Sequence, residues 1–116
     1  MEHITIKKTF DLSFDAVRIE DQEEGFAQYQ GTIHNIRLDV IKDIEQALRA
    51  AFDYNVQTKI KAFYDNNHHI VIRSSFSFII IENESNYLEN YFYITREHAE
   101  NLIKEIDKVC NQENIV

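Results

Sequence analysis

The spacing of apolar side chains changes period three times along this chain, and that pattern restricts the fold more than anything in its composition. Near the start, Ile4, Ile6, Phe10, Leu12, Phe14 and Ala16 share one phase, broken at Lys8, with Thr, Lys, Thr, Asp, Ser and Asp between them. A period of two puts successive side chains on opposite faces, so the segment is expected to be a half-buried strand or strand pair. Val17 and Ile19 fall in the other phase, which places a bulge or bend near Ala16. The run Glu20-Asp21-Gln22-Glu23-Glu24 with Gly25 reads as a turn, and Phe26 to Thr32 as a second strand returning beside the first.

From Asn35 the period lengthens. Ile36, Val40, Ile41, Ile44, Leu48, Ala51 and Phe52 recur at three and four, as one buried stripe of an amphipathic helix requires. Asn35 or Thr32 is the expected cap, and Asp53-Tyr54-Asn55 the end. Alternation resumes at Val56, Thr58, Ile60, Ala62 and Tyr64. After a turn at Asp65-Asn66-Asn67-His68, one long strand is expected from His69 to Glu82, with Ile70, Ile72, Phe76, Phe78 and Ile80 on one face. Val71, Ile79 and Ile81 then lie on the other. A polar turn over Glu82–Asn86 leads to a strand from Tyr87 to Ile94. Thr95 is placed to cap a last helix whose stripe is Ala99, Leu102, Ile103, Ile106, Val109 and Cys110, with fraying expected from about Asn111.

The order is thus β-β-α-β-β-β-α. Short links between strands imply antiparallel pairing. Two one-sided helices are expected to cover one face of the sheet. This predicts an α+β fold: a two-layer sandwich of about five antiparallel strands with both helices on one face. The 116 residues fit one domain spanning 1–116.

Composition narrows chemistry more than it names it. Glycine occurs only at Gly25 and Gly31, so neither G-x-G-x-x-G nor G-x-x-x-x-G-K can be written, and the common nucleotide-dependent enzymes lose their phosphate cradle. Cys110 is the single cysteine, which precludes an intrachain disulfide or a cysteine-based zinc site and fits a reducing, cytoplasmic setting. On an apolar helical stripe it is expected to behave as a small buried hydrophobe. His3, His34, His68, His69 and His98 show no H-x-x-x-H spacing, and the adjacent His68 and His69 would point to opposite faces of a strand. No cofactor or metal is therefore expected. No apolar run is long enough for a membrane helix, and the first residues lack a signal-peptide core.

The formal charge is −8, from 20 acidic and 12 basic residues. Such a body repels phosphate backbones, so direct nucleic-acid binding is disfavoured, whereas a basic protein would be attracted. The candidate contact residues are Glu20, Asp21, Glu23 and Glu24 for electrostatic steering, and Tyr87, Tyr91 and Tyr93 for short-range contact. These tyrosines lie opposite Leu88, Phe92 and Ile94, on the side expected to be open beside Ser75, Ser77, Ile79 and Ile81. The leading expectation is a non-enzymatic, acidic protein-binding module. By size and charge it would act as an inhibitor of a basic, nucleic-acid-binding protein, of the kind phages, mobile elements and immunity systems use. Two alternatives stand beside it. One is a homodimeric structural module with the open sheet face as its seam. The other is a small metal-dependent hydrolase or nuclease using carboxylates with His34 or His69.

Overall fold

The computed structural model describes residues 7–18, 27–65, 67–85 and 89–115. Among these, six strands and two helices follow in the order β1 (Thr9–Arg18), β2 (Ala27–Arg37), α1 (Ile41–Tyr54), β3 (Thr58–Ile60), β4 (His69–Ser75), β5 (Phe78–Glu84), β6 (Glu89–Thr95) and α2 (Arg96–Gln112). The strands form one antiparallel sheet in the order β2-β1-β6-β5-β4-β3. α1 lies over β3, β4 and β5, α2 lies over β1, β5 and β6, and the helices touch each other. Between the layers, Leu12, Phe14, Ile33, Ile70, Ile72, Ile79, Ile81 and Ile94 of the sheet meet Ile44, Leu48, Leu102 and Ile106 of the helices. Each of these apolar side chains contributes roughly 1.5–3 kcal/mol by leaving water. The two-layer α+β sandwich expected from the periodicity is the fold observed.

The sixth strand comes from a hairpin inside the segment read as one long strand. Ser75 pairs with Phe78, so Phe76 and Ser77 form a two-residue loop. Phe76 takes a positive φ of 53°, the conformation that the tight turn demands and that Gly or Asn usually supplies. Because residue 75 sits opposite 78, even-numbered residues of β4 share a face with odd-numbered residues of β5. Ile70 and Ile72 therefore join Ile79 and Ile81 in the core, while Ile80 turns to the other side with Val71. Phe76, Phe78 and Ile80 do not share the face of Ile70 and Ile72, which corrects the expected grouping.

α1 begins later than its spacing suggests. Ile36 pairs with Phe10, the Arg37 N–H donates to the Ala62 carbonyl, and the Leu38 N–H donates to the Lys8 carbonyl. These long-range bonds hold residues 35–37 in β2, and a short 3-10 turn at Leu38–Val40 leads into the helix. Its N-cap is Val40, without a side-chain hydrogen bond, so neither Asn35 nor Thr32 caps it. α2 starts as expected: the Thr95 hydroxyl accepts the His98 N–H at 3.1 Å. At its other end Ile115 folds back onto the core, its N–H donating to the Cys110 carbonyl. Only Thr58–Ile60 of the alternating segment 56–64 is strand, although Ala62 and Phe63 are also buried.

The irregularity foreseen near Ala16 lies earlier, where Asp11 of β1 faces His34 and Asn35 of β2. This bulge is held by the Asp11 carboxylate, which accepts the Asn35 N–H at 3.0 Å and lies 3.3 Å from His34 Nδ1. Those two interactions hold the Asp11 carboxyl below its usual 3.8, the Asn35 N–H chiefly. Asn35 has φ 62°, which the bulge requires and Asn tolerates. Nearby, Gly31 leaves room for two rings: a Cβ there would stand 2.6 Å from Phe14 Cε2 and 3.0 Å from Phe92 Cδ1. Phe14 and Phe92 meet edge to face at 5.1 Å over that gap.

Candidate partner-binding surface

Each strand that buries one face must present the other. The pairing registers align the side chains of that second face into rows. Lys59, Val71, Glu82 and Tyr91 form one row across β3, β4, β5 and β6. Arg73, Ile80, Tyr93, Val17 and Gln28 form the next, across β4, β5, β6, β1 and β2. Ser75, Phe78 and Thr95 form a third. Neither helix covers this side.

Tyr91 is 43% exposed, and Tyr93 is half-buried with its ring edge-to-face against Phe78 at 6.2 Å. The expectation that Tyr91 and Tyr93 stand opposite the helices therefore holds in the structure. Their companions differ from those expected: Val17, Val71 and Ile80 lie among them, and Ile79 and Ile81 are in the core. Ser75 is on this face, whereas Ser77 is in the hairpin loop. Glu20, Asp21, Glu23, Glu24 and Tyr87 lie outside the described residues. The face is not uniformly acidic, since Lys59 and Arg73 accompany Glu82 and Glu84, and Lys59 Nζ lies 3.2 Å from Glu84 Oε1.

The structure adds a feature that the periodicity concealed. Phe76, at the tip of the β4–β5 hairpin, is 97% exposed. The Ser74 hydroxyl at the base of that hairpin donates to the Asn55 side-chain oxygen, which brings the end of α1 alongside. Tyr54 and Val56, on either side of Asn55, are 77% and 47% exposed. An aromatic track of Tyr91, Tyr93 and Phe78 thus lies on this face and ends at the hairpin tip that carries Phe76, while Tyr54 and Val56 are exposed on the helix side, next to the Asn55 that Ser74 holds. The doubled Phe76-Ser77-Phe78 motif was the available signal, but without Gly, Asn or Asp at the turn it reads as continuous strand.

Catalytic and metal arrangements are less developed. His34 and Asp11 form a pair, but both side chains are more than half exposed and serve the bulge. A cavity of about 310 Å³ beside them is lined by Thr9, His34, Asn35, Phe63, Tyr64, Asp65 and His68. His68 stacks on Phe63 at 3.6 Å between centroids and bonds to the Asn83 side chain. His69 instead sits opposite Glu84 at the start of β4. Among the described residues, no three His, Cys, Asp or Glu side chains converge as metal ligands would. Cys110 is buried under α1, and burial pushes its thiol above the ordinary value, away from the thiolate a nucleophile needs. Among the described residues, no helix is long and apolar enough to cross a membrane. The chain matches no protein-family model, no curated protein and no solved structure.

Proposed function

We propose that this chain is a non-enzymatic, cytosolic protein-binding module whose partner is a basic, nucleic-acid-binding protein that it inhibits. One observation carries the proposal: the side of the sheet away from the helices bears the aromatic track of Tyr91, Tyr93 and Phe78, which ends at the hairpin tip that carries Phe76. Tyrosine and phenylalanine at a surface supply contact area with few torsions to immobilise, and they dominate the energetics of many interfaces. The formal charge of −8 selects a basic partner, and Glu20, Asp21, Glu23 and Glu24 would accelerate its approach. Phe76 would enter an apolar cleft on the partner, since a ring left in water at a hairpin tip gains most from such burial. A counter-defence or immunity role in a phage or mobile element fits a small acidic inhibitor of this kind.

The test immobilises the chain and three variants, then compares what each retains from nuclease-treated host lysate. The variants are Tyr91→Ala with Tyr93→Ala, Phe76→Ser, and neutralisation of the four carboxylates at 20, 21, 23 and 24. A basic protein should be retained by the native chain and lost about tenfold or more from the first two variants. With that protein purified, the neutralised variant should associate more slowly and with less dependence on salt. Retention of only acidic proteins, or retention indifferent to all three variants, would overturn the proposal.

A further inference from the structure

The two ends of the sheet differ in how they are protected. β3 closes one end and is three residues long, with Lys59 on it and Lys61 just after it. A short, charged edge is a standard defence against pairing with another chain. β2 closes the other end and is 11 residues long. From Ala27 to Ile36 it contains no Asp, Glu, Lys, Arg or Pro, in a chain that is 28% charged. Among the described residues, no strand pairs with its outer side.

We propose that the outer edge of β2 pairs with β2 of a second copy of this chain, antiparallel and two-fold symmetric about Gly31. The occupant follows from charge and register. β2 itself offers a foreign strand no Asp, Glu, Lys or Arg to select it, the Asp11 and Asp15 carboxylates standing on the neighbouring β1, while two copies, each at −8, can pair these edges without placing like charges directly opposite one another. The left-handed Asn35 bends the strand and limits the regular stretch to Ala27–His34; of its two central residues, Gln30 and Gly31, Gly31 alone puts no side chain at the axis, and centring there pairs Gln28–His34 with itself.

Centring the symmetry axis there sets Tyr29 opposite Ile33 of the second copy on the helix side. It sets Gln30 opposite Thr32 and Gln28 opposite His34 on the other side. The first is an aromatic pair with a β-branched residue, and the others can hydrogen-bond. At the axis the two glycines present no side chains to each other, and the rings of Phe14 and Phe92 already occupy the space above. Two six-stranded sheets would then continue as one, with the backbone groups of both edges paired. This seam runs along the border of the tyrosine face, where Gln28 ends the row that holds Tyr93, and shares no residue with the aromatic track.

Sedimentation velocity on the full chain, from about 1 μM to about 1 mM, measures the association directly. A species of twice the chain mass is expected. Gln30→Glu with Thr32→Glu places carboxylates opposite one another twice across the seam, beside Asp15, and should weaken the dimer about tenfold or more. Gln30→Lys with Thr32→Glu makes the same positions complementary and should restore it. Circular dichroism melts of each variant establish that the protomer remains folded. A native chain that stays monomeric at the highest concentration overturns the proposal, and so does a dimer indifferent to the paired carboxylates. Neither result bears on binding of a basic partner through the aromatic track.

Discussion

Ile80 and Ile81 are neighbours in β5 and almost equally hidden, at 2% and 0% exposure, yet they belong to different kinds of surface. Ile81 is enclosed between the sheet and the helices, within the core that includes Ile72, Ile94 and Leu48. Ile80 lies on the opposite face, between Arg73 of β4 and Tyr93 of β6. A helix layer covers the first, and the second lies outside that core, in the row of Arg73 and Tyr93. Low exposure therefore does not mark one continuous interior. A side chain covered by long, movable neighbours sits in a surface that can rearrange, as a binding face must, whereas one locked between layers cannot.

Ile81→Ala should have the largest effect, lowering stability by about 3–4 kcal/mol, because the cavity it leaves cannot collapse between the two layers. Denaturant titration measures this. Gly31→Ala tests the same side of the sheet from the opposite direction, by crowding it. The new methyl would force Phe14 and Phe92 apart, at a cost of about 2 kcal/mol. Ile80→Ala should cost only about 1–2 kcal/mol, since Arg73 and Tyr93 can close over the gap. Equal losses at Ile80 and Ile81 in the same titration would erase the distinction between the two faces.

The smallest effect is expected within the helix layer, at Glu45 of α1. Its side chain is 12% exposed between Lys42 and Arg49, and burial, followed by the neighbouring carboxylate of Asp107 on α2, raises its pKa above 4.5. A raised carboxyl pKa means that the folded state holds the proton more tightly than the unfolded state. Stability from this group is thus full below about 4.5 and is lost as pH rises through the folded-state value. Glu45→Gln removes the titration, so its Tm should exceed that of the native chain slightly at neutral pH and converge with it in acid. A lower Tm for Glu45→Gln at neutral pH would show that the ion pairs with Lys42 and Arg49 outweigh desolvation.

Much of the fold was legible because its signals are local. The stripe Ala99, Leu102, Ile103, Ile106 and Cys110 and the cap at Thr95 follow from helical geometry, and both are as expected. Tyr91 and Tyr93 could be assigned to the side opposite Ile94 from alternation alone. The hairpin was not legible, since Phe76 occupies a turn position that carries no turn composition. Missing it shifted the phase of β5 by one, and a one-residue shift exchanges the two faces of a strand. The start of α1 is not legible for a different reason: Arg37 and Leu38 are held by backbone acceptors at Ala62 and Lys8, far away in the chain.

The order of the elements apart from the division of β4 from β5, the separation of each helix into buried and exposed sides, and the acidic character of the chain were therefore set by the sequence alone. These depend on periodicity and charge, which are properties of residues and their near neighbours. Which isoleucines of β5 enter the core, where β2 ends, which edge of the sheet is left long and uncharged, and that Phe76 stands exposed at a hairpin tip were decided only in three dimensions. They depend on strand register and on hydrogen bonds between distant segments, which one-dimensional spacing does not encode.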